Sequence, residues 1–226
     1  MMTTFFAAML VATLILLVIT RLAADRLIHT HYRQKTDFFA HYPIQPGDIV
    51  FLGDSITDGA RWDELFPGLP VKNRGINADT TSGVLERLGV TLAGRPAAVF
   101  LLIGTNDLPW YMYRRNRDIL ETYAAILKRC QEESPRTQVF VQSILPRHRR
   151  YARRIQSINA GLAELAAHYG DPYIDLFPHF AGPHGEIRAG WSNDSLHLLA
   201  CGYKRWVEIL APYIERLKPD IHAEDL

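Results

Sequence analysis

The chain has 226 residues, of which 48% are apolar and 22% charged, with a formal net charge of +1. That length suits one domain with a buried core, and the composition excludes intrinsic disorder, a collagen-like chain and a polytopic membrane protein. The near-neutral balance argues against nucleic acid as a bulk partner, and two cysteines, Cys130 and Cys201, exclude a disulfide scaffold or a zinc cluster on CxxC pairs.

From Met1 to Thr20 no side chain is charged, and Phe5 to Ile19 is nearly all apolar. As a helix, about twenty residues at ~1.5 Å each reach roughly 30 Å, the thickness of a bilayer core. Residues 1–24 therefore predict a membrane anchor. A cleaved signal peptide is the rival reading, but no Lys or Arg precedes the apolar run, and Leu22-Ala23-Ala24 is a poor cleavage site. Arg21, Arg26, Arg33 and Lys35 follow the run, which predicts a cytoplasmic domain by charge bias; export is the alternative. Residues 25–46, polar and closed by Pro43 and Pro46-Gly47, read as a connector to a domain over 47–226.

Beyond the connector, strands and helices alternate. Ile49 to Leu52 reads as a buried strand, with a short helical stretch near Trp62 to Phe66. Pro70 to Asn73 is a weak strand, and Ser82 to Ala93 spaces Val84, Leu85, Leu88 and Leu92 for a helix face. Ala97 to Ile103 is the clearest buried strand. A helix follows over Arg117 to Glu133, a strand over Val139 to Val141, a helix over Ile155 to Tyr169 and a strand over Tyr173 to Leu176. The last helix spans Leu198 to Leu217, where Pro212 predicts a kink. Five such alternations predict an α/β fold: three layers, α/β/α, around a five-stranded parallel sheet. Ligands of such sheets bind at the carboxyl ends of the strands, which selects the loops opening at Gly53, Asn73, Gly104, Ser143 and Leu176.

Several of these loops carry directed chemistry. In Gly53-Asp54-Ser55-Ile56-Thr57 a serine follows a buried strand at the mouth of a helix, where it is either a cap or a nucleophile. Thr57 stands where a G-x-S-x-G elbow needs its last glycine, so the common α/β-hydrolase fold is disfavoured. Asn73-Arg74-Gly75-Ile76-Asn77 and Gly104-Thr105-Asn106-Asp107 supply the backbone N–H groups and side-chain amide that an oxyanion needs; as lone turns they would be punctuation. In Asn193-Asp194-Ser195-Leu196-His197 an acid stands three residues before a histidine. An activated serine requires an imidazole base and a carboxylate to orient it. His179 and His184 are the nearest competitors for the base, and Asp175 is the alternative acid.

These blocks, in this order, resemble the SGNH (GDSL-type) hydrolases, and within them the small acyl-esterases of the platelet-activating-factor acetylhydrolase kind. The resemblance implies a flavodoxin-like SGNH fold, with Ser55 as nucleophile, His197 as base and Asp194 as its orienting acid. It also implies an oxyanion hole from Ser55, Gly75 and the Asn106 amide, on a small-molecule ester substrate. One departure is Ala78, where such chains often have glycine. No metal or organic cofactor is expected, since HExxH, P-loop and GxGxxG patterns are absent. Candidate substrate contacts are Asp54, Trp110 in the aromatic run after the third block, and Arg149 in the arginine-rich stretch from 147 to 154. For the aromatics, ordinary helix packing is an equal reading; for the arginines a solvated helix start is favoured over an anion seat. The predicted activity is serine-dependent hydrolysis of small acyl or lysophospholipid-like esters. Transfer of an acyl group to, or its removal from, a carbohydrate is the alternative, and a non-catalytic binding module would not need all five residues.

Overall fold

The structure is a computed structural model that describes residues 2–109, 112 and 114–223. After a long helix α1 (Met2–His41) come β1 (Ile49–Gly53), the short helices α2 (Ser55–Asp58) and α3 (Trp62–Leu65), β2 (Val71–Gly75), α4 (Thr81–Leu92) and β3 (Ala98–Leu102). There follow α5 (Asn116–Glu133), β4 (Gln138–Gln142), α6 (Ala152–Tyr169), β5 (Tyr173–Ile174), α7 (Phe177–Phe180) and α8 (Ala200–Ala223). All strand pairs are parallel, and their order across the sheet is β2-β1-β3-β4-β5. That is the doubly wound, flavodoxin-like arrangement, with the chain reversing its direction of growth between β1 and β3.

Both central strands, β1 and β3, are buried at every position, which a parallel sheet with two covered faces demands. Period-two alternation sorts their side chains. Val50 and Leu52 join Val84, Leu88, Ile119, Ile126, Ile155 and Leu162 in a core under α4, α5 and α6. Ile49 and Phe51 join Trp62, Phe100, Phe140, Trp206 and Leu210 in a second core under α3 and α8. The second core is aromatic: Phe51 stacks on Trp62 with ring centres 3.6 Å apart, and Phe100 on Phe140 at 4.4 Å.

Helix α8 runs through Pro212 to Ala223. Strand β5 ends at Ile174, so Asp175 is an exposed loop residue rather than part of the sheet.

The N-terminal segment up to His41 departs most from expectation. Residues 25–41 are helical and continue α1 without a break, and the end of that helix packs on the domain: Phe39 is buried, and the Arg74 guanidinium lies 4.5 Å from its ring centre. The expected membrane anchor, and the cytoplasmic placement argued from it, are overturned. Among the described residues no helix is long and apolar enough to cross a membrane.

Candidate active site

The loops after β1, β2 and β3 and the loop before α8 converge at the carboxyl edge of the sheet. Ser55 opens α2 directly after β1, with Asp54 as the N-cap: the Ile56 N–H donates to Asp54 Oδ1 at 2.9 Å. So sharp a strand-to-helix turn needs glycine beside it. A Cβ on Gly53 would stand 2.2 Å from the Leu102 carbonyl oxygen, and one on Gly75 would stand 2.2 Å from the Asp58 nitrogen. Gly75 is thus where β2 passes directly beneath α2.

The loop before α8 brings the imidazole to the serine. His197 Nε2 lies 2.9 Å from Ser55 Oγ, and His197 Nδ1 lies 2.6 Å from Asp194 Oδ2. The carboxylate therefore assigns the ring proton to Nδ1 and leaves Nε2 to accept the serine hydroxyl proton. Asp194 Oδ1 accepts the N–H groups of His197 at 2.8 Å and Leu196 at 2.9 Å and the Ser192 hydroxyl at 3.0 Å. Burial pulls the Asp194 carboxyl upward, but these bonds, led by that from the imidazole, outweigh it and hold the group well below the usual carboxylate range. Ser195 takes φ +62° to turn the chain between acid and base, a left-handed conformation that costs a side-chain-bearing residue some strain. Ser55 is 9% exposed, whereas the side chains of His197 and Asp194 are 46% and 47% exposed, so the site is open on the imidazole side. Nothing in the structure brings the alternatives into this arrangement: His179 contacts Arg205, and Asp175 lines a groove of about 360 Å³ against α6.

Of the expected oxyanion donors, two retain an N–H without an acceptor among the described residues and one is occupied. The Ser55 N–H lies at the first position of α2, where a helix has no internal acceptor. Asn106 is oriented by a 2.9 Å bond from its Nδ2 to the Asp79 carbonyl, which leaves its second amide hydrogen. The Gly75 N–H instead donates to Asn73 Oδ1 at 2.9 Å. Ala78 takes φ +61° on the exposed turn between Ile76 and Asp79, a left-handed conformation that glycine adopts without strain.

The candidate substrate contacts fare differently. Arg149 is exposed in the turn before α6, Trp110 lies outside the described residues, and Asp54 is wholly buried, so its carboxyl offers a substrate no surface. Among the described residues its Oδ2 has no hydrogen-bond partner, and desolvation, augmented by the Asp79 and Asp107 carboxylates and opposed by the Ile56 N–H and by Arg147, raises Asp54 to about 7. A carboxyl raised on folding contributes stability that is full below the unfolded value of ~3.9 and lost as pH rises through about 7. Asp54→Asn is therefore expected to lose less stability than the parent chain between pH 5 and pH 8 in urea unfolding. Parallel loss in the two proteins would mean that Asp54 titrates normally.

A framework that no motif announced ties the loops together. Arg87, on α4, forms a buried ion pair with Asp79 at 2.7 Å and donates from Nη2 to the Gly53 carbonyl at 3.0 Å. Asp107 receives the Thr81 N–H at 3.0 Å and its hydroxyl at 2.8 Å, and Arg147 donates to the Thr105 carbonyl at 3.0 Å. Through α4 and Arg147 these bonds tie together the loops after β1, β2, β3 and β4, so Asn106 and Ser55 are held from behind. Among the described residues no group of His, Cys, Asp and Glu is arranged to hold a metal ion.

A strand-edge serine, a histidine on its hydroxyl and a carboxylate behind the ring, on a 2-1-3-4-5 parallel sheet, define a hydrolase of the SGNH type. Residues 51–205 match the GDSL-like lipase/acylhydrolase family, and the chain belongs to that family: it is a hydrolase of ester bonds. Among curated proteins it is 31% identical over 189 residues to the human platelet-activating factor acetylhydrolase IB subunit alpha1, covering 79% of this chain and 78% of that one. A Streptococcus pneumonia structure, described provisionally as a platelet activating factor, superposes with TM-score 0.79 at 26% identity, over 87% of this chain and 98% of that chain. A GDSL-like lipase from Bacteroides thetaiotaomicron superposes with TM-score 0.72 at 22% identity, over 82% and 97%.

Proposed function

We propose that the protein is a serine esterase working through a covalent acyl-enzyme on esters of short acyl groups. The observation that carries this reading is the unbroken line of hydrogen bonds from Asp194 through His197 to Ser55 Oγ. In the first half-reaction Ser55 Oγ attacks the ester carbonyl while His197 Nε2 takes its proton and then delivers it to the departing alcohol. In the second, His197 deprotonates a water that attacks the acyl-serine and returns the proton to Oγ. Asp194 stabilises the imidazolium formed in each step. Negative charge on the carbonyl oxygen meets the Ser55 N–H and the free amide hydrogen of Asn106, and Gly75 contributes space for α2 rather than a donor.

Asn106→Ala is expected to lower kcat by about 100- to 1000-fold, the usual cost of one oxyanion donor, with little change in KM. A loss below fivefold on p-nitrophenyl acetate would remove Asn106 from that role.

A short acyl group fits a site whose base and acid are half exposed, because a deep acyl tunnel would enclose them. Relatives named as acetylhydrolases point the same way. Arg149 stands exposed and offers a guanidinium to an anionic alcohol half, as in a lysophospholipid-like ester. Rates on p-nitrophenyl esters from acetyl to palmitoyl, and on neutral and anionic esters for parent and Arg149→Ala, test both points. The expected optimum is at acetyl to butyryl, with preferential loss on anionic esters in the variant. An optimum at palmitoyl, or equal rates of the variant on both ester types, would refute the corresponding assignment.

A further inference from the structure

Helix α2, which presents Ser55, has four residues, far fewer than a helix needs to hold itself in water. Its position is set by what grips it. From within the domain, Trp62 Nε1 donates to the Thr57 carbonyl at 3.0 Å, Tyr203 Oη to that of Ile56 at 2.9 Å and Asn73 Nδ2 to that of Asp58 at 3.0 Å. The Asp58 side chain, at the end of α2, is gripped differently. It is 11% exposed, and both basic side chains that meet it among the described residues come from α1: Lys35 Nζ on Oδ1, and His31 Nε2 at 3.4 Å from Oδ2. His31 and Lys35 are one helical turn apart, and the next turn places Phe39 in the core against Arg74. Tyr32, on the adjoining row, donates to the Gly83 carbonyl at 3.4 Å.

We propose that Lys35, assisted by His31, is a positioning residue for the nucleophile: α1 docks on the domain through Asp58 and thereby fixes α2 and the Ser55 hydroxyl opposite His197. Removing the ammonium leaves a largely buried carboxylate without its nearer cation, and the carboxylate must turn toward water. Asp58 cannot do so alone. Its N–H donates to the Asp54 carbonyl at 2.8 Å, its backbone lies against Gly75, and one turn of helix separates it from Ser55. Displacement at Asp58 is therefore displacement at the nucleophile. The proposal rests on the assignment of Ser55 as that nucleophile.

The test measures kcat and KM on p-nitrophenyl acetate for the full-length chain and for Lys35→Met, Lys35→Arg, Asp58→Asn, the Lys35→Met/Asp58→Asn double variant and Ser55→Ala. Each rate is corrected for the folded fraction from circular dichroism. Lys35→Met is expected to lower kcat about tenfold or more with KM within twofold, since small misplacements of a reacting group cost up to ~100-fold. Lys35→Arg restores most of kcat, Asp58→Asn shows the same loss, and the double variant is no worse than either single one. Unchanged kcat in folded Lys35→Met, or a loss that Arg does not restore, would overturn the proposal. If Lys35→Met does not fold, His31→Ala decides: a drop in kcat with intact fold supports positioning, and an unchanged kcat assigns the contact to folding alone. Activity retained by Ser55→Ala would instead refute the nucleophile assignment.

Discussion

Ser55→Ala is expected to lower kcat by about 10,000-fold or more while leaving the thermal midpoint within about a degree. The magnitude follows from what remains: without Oγ there is no acyl-enzyme, and catalysis falls back on the oxyanion donors and binding alone, which leaves a small residual rate over water. The midpoint is unaffected because the hydroxyl contributes little to the fold. Asp54, not Ser55, caps α2, and the Ser55 hydroxyl is paired with His197 at the open side of the site. Steady-state rates on p-nitrophenyl acetate beside a melting curve check both parts. A variant that retains a tenth of the activity contradicts the assignment, and one that loses activity through unfolding leaves a displaced melting curve as its signature.

His197→Ala is expected to cost as much as Ser55→Ala, and Ser55→Ala/His197→Ala no more than either, because base and nucleophile act as one unit. Asp194→Asn should cost about 1,000- to 10,000-fold. The amide can no longer fix the Nδ1 proton as a carboxylate does, so Nε2 is left protonated in the wrong tautomer for accepting from Ser55. Asp194 also carries a pH signature. Its folded carboxyl is held below the ordinary range, so the stability it contributes is present above ~3.9 and is lost as pH falls through its folded value. With the group half exposed, the contribution is small, and the activity loss at neutral pH is the larger effect. Rates for the two single variants and the double variant test this, and multiplicative losses would show that Ser55 and His197 act independently.

Much of this site is legible in the sequence because its parts are local. The uniformly apolar runs at 49–52 and 98–102 announce buried strands, and the 2-1-3-4-5 sheet places the loops after β1, β2 and β3 at one edge. Asp194 and His197, three residues apart, meet within a single turn. What crosses between elements is not legible. Nothing near Gly75 in sequence discloses that α2 packs upon it, and the pairing of Arg87 with Asp79 is fixed by the docking of α4.

The 25–41 segment failed for a different reason. Its helix face is His31, Lys35 and Phe39 at four-residue spacing, and two of those three are polar, so an apolar-periodicity reading passes over a face whose partner is a carboxylate. A helix that docks through charge looks like a linker until the acid it meets is known. The anchor prediction erred in the opposite direction, from an apolar run read by itself, although the same helix continues through Arg21, Asp25 and Arg26 to His41. Asp54 illustrates a third limit: a polar residue within a catalytic block invites a substrate role, while its burial and its bond to the Ile56 N–H make it part of the scaffold.

The most direct test of the nucleophile is to find the atom that becomes covalently modified. The full-length chain is treated with a fluorophosphonate ester, digested and analysed by mass spectrometry, with His197→Ala treated in parallel. A single adduct on the peptide containing Ser55, formed far more slowly in His197→Ala, is the predicted result. An adduct on another residue, or equal labelling of Ser55 in the two proteins, would contradict the Ser55–His197 mechanism.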